Sequence, residues 1–498
     1  MRSKNAIKNI ATNLLLQIVV LLYGFIVPKI IISNFGSNVN GLISSINQFL
    51  GYIVLLESGF GPVVTASLYK PIAQKNKDEI ANILYTAERF FKKISYIFIS
   101  YIIIMCLLFP LIVSNDFSYV YTFLLIIIIS ISTFAEYFFG MTYKLFLQAN
   151  QKLYIISLVQ IITYIISITI TIILTVLNSN IHIIKLLSGL IFVIRPIFLN
   201  IYVKRKYAIS FEKIDKNYKL KQKWDGLAQH IAAVIHSNTD VTLLTLFTNL
   251  SEVSVYSVYF LVVKGLKSLI QSFTGGLDST FGDMIARKEI DNLNKKFDLY
   301  EILYTTICTI LFSCAIILIV PFVTVYTYGI NDAQYIRYSF GSLIVISEFI
   351  WAIRLPYSSI TLAAGHFKET RVGAWIECFT NIIISIVLVW KFGIVGVTIG
   401  TIVAMTIRTI EFIYHTNKII LHRSLFFSLK KIGIVIIDTI IVVLICRFIP
   451  YFDNISYFNW IINSIMVLLV SFIVTFSINS IIYKDKIKDI FTIVNIIK

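Results

Sequence analysis

Charge is scarce in this chain. Asp, Glu, Lys and Arg make up 14% of its 498 residues while 57% are hydrophobic, against roughly 25% and 45–50% in a soluble domain, and that imbalance excludes a soluble enzyme. Cysteine is scarcer still. The five thiols, Cys106, Cys308, Cys314, Cys378 and Cys446, all lie inside apolar runs, where they act as small hydrophobes, so no disulfide framework or metal-ligand spacing is present. No Gly-rich loop ending in Gly-Lys-Ser/Thr occurs, which excludes ATP hydrolysis by that route. No cofactor is implied. A cleavable leader is not expected either: Arg2, Lys4 and Lys8 lead into an apolar stretch too long for a leader and without a small-residue cleavage site, so the first helix is expected to stay in the membrane.

What is abundant is long apolar sequence. Runs such as Ile10 to Ile32, Ile94 to Val113 and Ile155 to Leu177 recur along the chain, each reaching the about 20 residues that cross a bilayer. The chain therefore reads as an all-α polytopic membrane protein with about fourteen transmembrane helices, the first starting near residue 10 and the last near 456. The breaks between spans differ sharply in charge. Lys70 to Lys93 holds six cations, Lys204 to Lys223 eight, Arg287 to Lys296 four and Lys418 to Lys431 four. The alternate breaks Ser33 to Asn40, Ser114 to Ser118, Asn178 to Asn180, Asn249 to Val253 and Tyr328 to Gln334 contain no Lys or Arg, with Lys391 the exception. The positive-inside rule then places both termini in the cytoplasm. Orientation, rather than nucleic acid, accounts for most of the net charge of +17; phosphate or lipid-headgroup binding is the lesser alternative. The outward loops are all short, which leaves no room for an extracytoplasmic catalytic domain and argues against an enzyme. A transporter powered by an ion gradient or the membrane potential is the leading class.

An internal repeat sharpens this. An offset of 215 residues maps Asn34-Phe35 onto Asn249-Leu250, Gly61 onto Gly276, Leu147-x-Ala149-Asn150 onto Leu362-x-Ala364-Gly365, and the helix start near 10 onto that near 226. Six spans per repeat is even, so two parallel-related six-helix lobes and two C-terminal helices are expected. The boundaries are residues 1–203 for the first lobe, 204–225 for a charged cytoplasmic linker, 226–416 for the second lobe and 417–498 for the last two helices and tail. Within Lys70 to Lys93, Ile80, Ile83, Leu84, Ala87, Phe90 and Phe91 fall at helical spacing, which predicts a short amphipathic helix on the inner surface.

Ionisable groups at bilayer depth are costly and so are functional candidates by default. Arg195 precedes Pro196, and Arg354 precedes Leu355-Pro356; a proline bends a helix where the break packs in protein or lines a cavity. Lys264, Lys267 and Gln271 share one face of the eighth span. Four cations, Lys264, Lys267, Arg354 and Arg195, are expected to line a cavity, because nearby acids cannot pair them all. Glu57, Glu136, His236, Asp240 and Asn381 are the polar or ion-coupling candidates, Glu57 expected mid-span and Glu377, Asn381 and Ser385 forming a ladder on one helix. Lys29, Lys185, Arg337 and Arg447 lie near outer ends, where long side chains reach the interface. Arg408 and Glu411 are placed either as a structural i, i+3 pair or as further cavity groups. A cationic cavity with amide and hydroxyl neighbours suits an anionic, hydroxyl-rich cargo.

Several stretches resemble a known family. Leu55-Leu56-Glu57-Ser58-Gly59-Phe60-Gly61 is similar to the end of the second helix of bacterial polysaccharide flippases, the oligosaccharide-lipid exporters related to multidrug and toxin extruders. Asn238-Thr239-Asp240 with Val255-Tyr256-Ser257, and Asn381, Ser385 and Phe392-Gly393-Ile394-Val395-Gly396, resemble its seventh-to-eighth and eleventh-to-twelfth helix patterns; Val241 departs from it, where many members have Arg. The resemblance implies alternating access in the bacterial cytoplasmic membrane and a polyprenyl-pyrophosphate-linked oligosaccharide as cargo, for capsule, O-antigen, exopolysaccharide or a related glycan. It implies glycosyltransferases and a polysaccharide polymerase as neighbours, membrane lipids as surroundings, and a coupling ion, H+ or Na+. The alternative is an ion-coupled multidrug and toxin extruder, whose cavity should be lined by acids.

Overall fold

A computed structural model describes residues 2–57, 59–207, 209, 214–215, 218, 220, 227–274, 278–452 and 454–486. Among them the chain is helical, with no strand. Its contact network divides into two compact units, Met1–Ser254 and Val255–Lys498.

The first unit contains α1 (Arg2–Phe35), α2 (Ser37–Gly51), α3 (Val54–Glu57), α4 (Phe60–Gln74), α5 (Lys77–Ile112) and α6 (Tyr119–Ala135). A π-helical turn, Glu136–Gly140, joins α6 to α7 (Met141–Ala149), followed by α8 (Leu153–Val176), α9 (Ile181–Tyr207) and α10 (Leu227–Phe247). The helix α11 (Leu250–Thr274) crosses into the second unit. There it is followed by α12 (Asp278–Ala286), α13 (Ile290–Tyr326), α14 (Tyr338–Ala363), α15 (Arg371–His415), α16 (Phe426–Cys446) and α17 (Tyr457–Ile482).

Eleven stretches among the described residues are long and apolar enough to cross a bilayer. One of them contains α15, which turns back on itself at Gly393 with φ 53° and ψ −129°, a backbone that only glycine adopts cheaply. Asn381 donates to Thr401 across the turn at 2.9 Å and Ser385 to the Val397 carbonyl at 3.2 Å. A Cβ on Gly396 would lie 2.4 Å from the Leu388 carbonyl oxygen. Both arms of α15 are therefore spans. With α10 and α16, each 21 residues long and read as spans despite interior ionisable groups, the count among the described residues is fourteen.

The repeat is visible in the backbone. Lys75 and Lys288, Gln151 and Gly365, and Asn178 and Gly393 all take positive φ, and these pairs stand 213, 214 and 215 residues apart. α5 and α13 are correspondingly long, at 36 and 37 residues. Gly276 lies outside the described residues, as does most of the 204–225 linker. In packing, α10 opens the second repeat in sequence yet lies against α2 inside the first unit.

Two local expectations change. The separate amphipathic helix expected within Lys70 to Lys93 is instead the end of α4 followed by the first half of α5, which starts at Lys77 and is capped by Asn76, whose side chain accepts the Glu79 amide at 3.1 Å. No Gly or Pro interrupts α5 there, and Ile83, Leu84, Ala87 and Phe91 are buried in the unit's core rather than laid on a membrane surface. Glu57 is not mid-helix but ends α3, a short segment between the end of α2 and Gly59, whose φ is 74°.

Candidate functional site

In the first unit, α2 meets α10 and the start of α11 along a seam of polar side chains. Asn40 donates to Ser254 at 2.8 Å, Ser45 and Thr245 share a hydrogen bond at 2.7 Å, and Tyr52 and Thr242 share one at 2.9 Å. Gln48 donates to Asn238 at 2.6 Å and to the Ser237 carbonyl at 2.7 Å. The imidazole of His230 reaches the Val54 carbonyl at 3.0 Å. Small residues let helices approach this closely in lipid: a Cβ on Gly41 would fall 1.8 Å from the Leu250 carbonyl oxygen. Asp240 is 7% exposed on α10 beside this seam, within electrostatic range of Tyr52, and His236 lies one turn before it. Sequence reasoning missed Asn40, Ser45, Gln48 and Tyr52, although their 3-to-5-residue spacing on a weakly polar span was the available signal.

At the far end of α2 the unit gathers charge. Lys144 on α7 pairs with Glu136 at 3.2 Å, and both Lys144 and His230 lie within electrostatic range of Glu57. Arg195 on α9 lies within range of Glu136; it donates to the Thr163 hydroxyl and to the Gln160 carbonyl, the latter at 3.4 Å. Its guanidinium stacks 4.2 Å from the Tyr164 ring centre and 4.4 Å from that of Phe192, a cation–π cradle. The π-helical turn serves packing here, since a Cβ on Gly140 would meet Pro196 at 2.5 Å. Glu57, Glu136 and Arg195 are thus brought together, with Lys144 as the member the sequence did not single out.

The second unit neutralises most of its buried cations. Lys267 pairs with Glu348 at 2.7 Å and sits 4.3 Å over the Trp351 ring. Arg354 pairs with Glu377 at 2.7 Å, and Glu377 also holds Arg408 at 3.4 Å. Arg408, 1% exposed, binds Glu411 and donates to the Thr370 carbonyl at 2.9 Å. The expectation of too few acids therefore fails for Lys267 and Arg354, because helix packing supplies Glu348 and Glu377 from neighbouring spans. Lys264 differs. It is exposed on α11 and has no carboxylate within ion-pair distance among the described residues. Gln271 is exposed two turns further on. Asn381 is buried, and its Oδ1 has no hydrogen-bond partner.

Two features were not anticipated. Asp298 and Glu301 of α13 bind Arg423, Lys431 and, for Asp298, Lys486, tying the last two helices to the unit. The Lys431–Glu301 and Arg423–Glu301 distances are 2.6 and 2.9 Å. Lys431 and Arg423, expected from the sequence only to set orientation, are thus held in structural ion pairs. Asp438, 1% exposed in the middle of α16, has an Oδ1 without a hydrogen-bond partner.

Two six-span repeats followed by two further spans make this a multi-pass membrane protein. No protein-family model and no curated protein sequence matches the chain. Solved structures do. The lipid II flippase MurJ in an inward-closed conformation aligns with a TM-score of 0.69 at 16% identity, covering 97% of this chain and 100% of that one. An inward-facing multidrug resistance MATE transporter aligns with a TM-score of 0.64 at 12% identity, over 78% of this chain and 92% of that one. A further MOP superfamily transporter, from Pyrococcus furiosus and described as having a binding pocket of reverse polarity, aligns with a TM-score of 0.56 at 12% identity, over 85% and 97%. The chain has the fold of the MOP superfamily.

Proposed function

We propose that the protein is a flippase that carries a polyprenyl-pyrophosphate-linked oligosaccharide from the inner to the outer leaflet by alternating access, for assembly of a surface glycan such as capsule or O-antigen. The observation that carries the reading is Lys264, a cation midway along a transmembrane helix with no acid beside it among the described residues, next to a second lysine held by Glu348. Such a charge is costly in lipid unless it serves an anionic ligand. Support comes from the flippase neighbour, which aligns with 97% of the chain, whereas the multidrug transporter leaves about a fifth of it unmatched. An extruder of organic cations would want acids on that face of α11, and it carries lysines.

In this reading both termini are cytoplasmic, the membrane is the bacterial cytoplasmic membrane, and glycosyltransferases and a polymerase act before and after the protein. A coupling ion, H+ or Na+, is carried by Glu57, Asp240, His236 or the polar group around Asn381, whose free Oδ1 is a buried acceptor suited to a cation. The test is flipping of a fluorescent lipid-linked oligosaccharide in proteoliposomes. Lys264→Gln should abolish it while membrane insertion and melting temperature stay as in the parent; normal flipping, or uptake of an organic cation in its place, overturns the reading.

A further inference from the structure

A cavity of about 610 Å³ opens between α5 and α9 in the first unit, lined by Arg89, Lys92, Lys93 and Lys204 with Glu88, Tyr85 and Tyr96. Four cations face one acid. Glu88 is already committed, paired to Lys92 at 2.7 Å and accepting the Tyr143 hydroxyl at 3.0 Å. Arg89 and Lys93 are exposed and have no carboxylate within 4 Å among the described residues.

Depth says what such a groove meets. At about 1.5 Å per residue, α5 is longer than the hydrocarbon layer is thick. Counting about 20 residues back from its apolar end at Ile112 reaches Lys93, so Arg89, Lys92 and Lys93 sit where the phosphates begin. Beyond them the same face turns apolar, with Tyr96 59% and Ile97 43% exposed on α5 and Phe198 45% and Ile201 46% on α9. Phe138 of the π-helical turn packs against two of the lining residues, 5.5 Å from Lys92 to its ring centre and 6.2 Å edge-on from the Tyr96 ring. A cationic cavity beside exposed apolar faces matches the charged head and apolar tails of one phospholipid.

We propose that this groove is a binding site for the phosphate headgroup of an anionic phospholipid, whose acyl chains lie along the exposed faces of α5 and α9. Arg89 offers a planar fork to two phosphate oxygens, and Lys93 and Lys204 add point charges. The site is separate from Lys264 and does not depend on what the protein carries.

The full chain is purified with its lipid and examined by native mass spectrometry while phosphatidylglycerol, phosphatidylcholine, inorganic phosphate and a polyprenyl pyrophosphate are titrated in turn. The parent should retain phosphatidylglycerol over phosphatidylcholine. The double variant Arg89→Gln/Lys93→Gln should lose that preference roughly thirtyfold, since each basic side chain near an anionic surface contributes about a factor of five. Lys93→Arg should keep it, as should Lys288→Gln/Lys295→Gln at another basic turn. Equal retention by parent and double variant overturns the proposal. Displacement by inorganic phosphate at matched concentration overturns it in favour of a free-anion site, and displacement by the polyprenyl pyrophosphate in favour of a cargo site.

Discussion

Gly41 offers the sharpest test of the polar seam in the first unit. Its added methyl in Gly41→Ala would stand 1.8 Å from the Leu250 carbonyl oxygen and 2.7 Å from the carbonyl carbon, where ordinary contact begins at 3.4 Å. Both obstructing atoms are backbone, so α2 and α11 must part by roughly 1.6 Å. At that level the hydrogen bonds Asn40–Ser254, 2.8 Å long, and Ser251–Asn38 are stretched or lost. An interhelical hydrogen bond in a membrane contributes about 0.6 kcal/mol and at most about 1.7. Lost packing adds to this, and alanine's better helix propensity returns about 0.8 kcal/mol. The net cost to the closed seam is about 1–3 kcal/mol, a shift of roughly five- to over a hundredfold toward the parted state. Gly433→Ala is the control, because nothing stands within 4 Å of its Cβ position. In a background without the five native cysteines, Ser45→Cys, at a fully buried position, reports opening through its reaction with a water-soluble maleimide. Labelling should rise by that factor in Gly41→Ala and stay unchanged in Gly433→Ala. Equal labelling and equal melting temperatures in the two would refute the close approach and the seam built on it.

Three further outcomes are expected. Lys267→Gln should destabilise by about 3 kcal/mol, because Glu348, 4% exposed, loses its ammonium partner, while Lys264→Gln leaves the melting temperature unchanged; the reverse order would mean the pairing is wrong. Glu301→Gln should cost about 1.5–3 kcal/mol, because Arg423 and Lys431 lose a fully buried carboxylate and keep only Asp298, seen as a lower melting temperature that Lys431→Met in the same chain partly restores. Asp438→Leu should stabilise by about 1–3 kcal/mol by removing a buried acceptor with no partner, and a loss of stability would show that the carboxylate is satisfied by a bound group.

The spans, the repeat and the tail were legible because each is written in residues close together in sequence: twenty apolar positions, a glycine, a basic turn. What was not legible is what two distant spans do to each other. Glu348 and Arg354 lie on the same helix, yet the first holds Lys267 and the second is held by Glu377, and nothing in local spacing says so. Asn40, Ser45 and Gln48 read as ordinary weakly polar positions until α10 is laid against them. Glu57 was recognised by its motif, but its place at a break rather than mid-helix depends on Gly59 at φ 74°, a conformation that glycine permits without announcing.

The pairing pattern also redistributes the roles of the cations. Arg354 shares Glu377 with Arg408, and Arg408 in turn holds Glu411, which fits only because residue 373 is glycine: a Cβ there would lie 1.5 Å from the Glu411 carboxylate. Four charges on three spans are therefore held by one another, and removing any one leaves a charge short of a partner. A ligand phosphate competing for Arg354 would have to displace Glu377 first. Lys264 carries no such commitment among the described residues, and its neighbour Lys267 needs to release one carboxylate, Glu348. For the flippase proposed above, contact with an anionic cargo should consequently begin on α11 and reach Arg354 only as the helices rearrange, and Glu348 and Glu377 would then be the acids that the cycle must release.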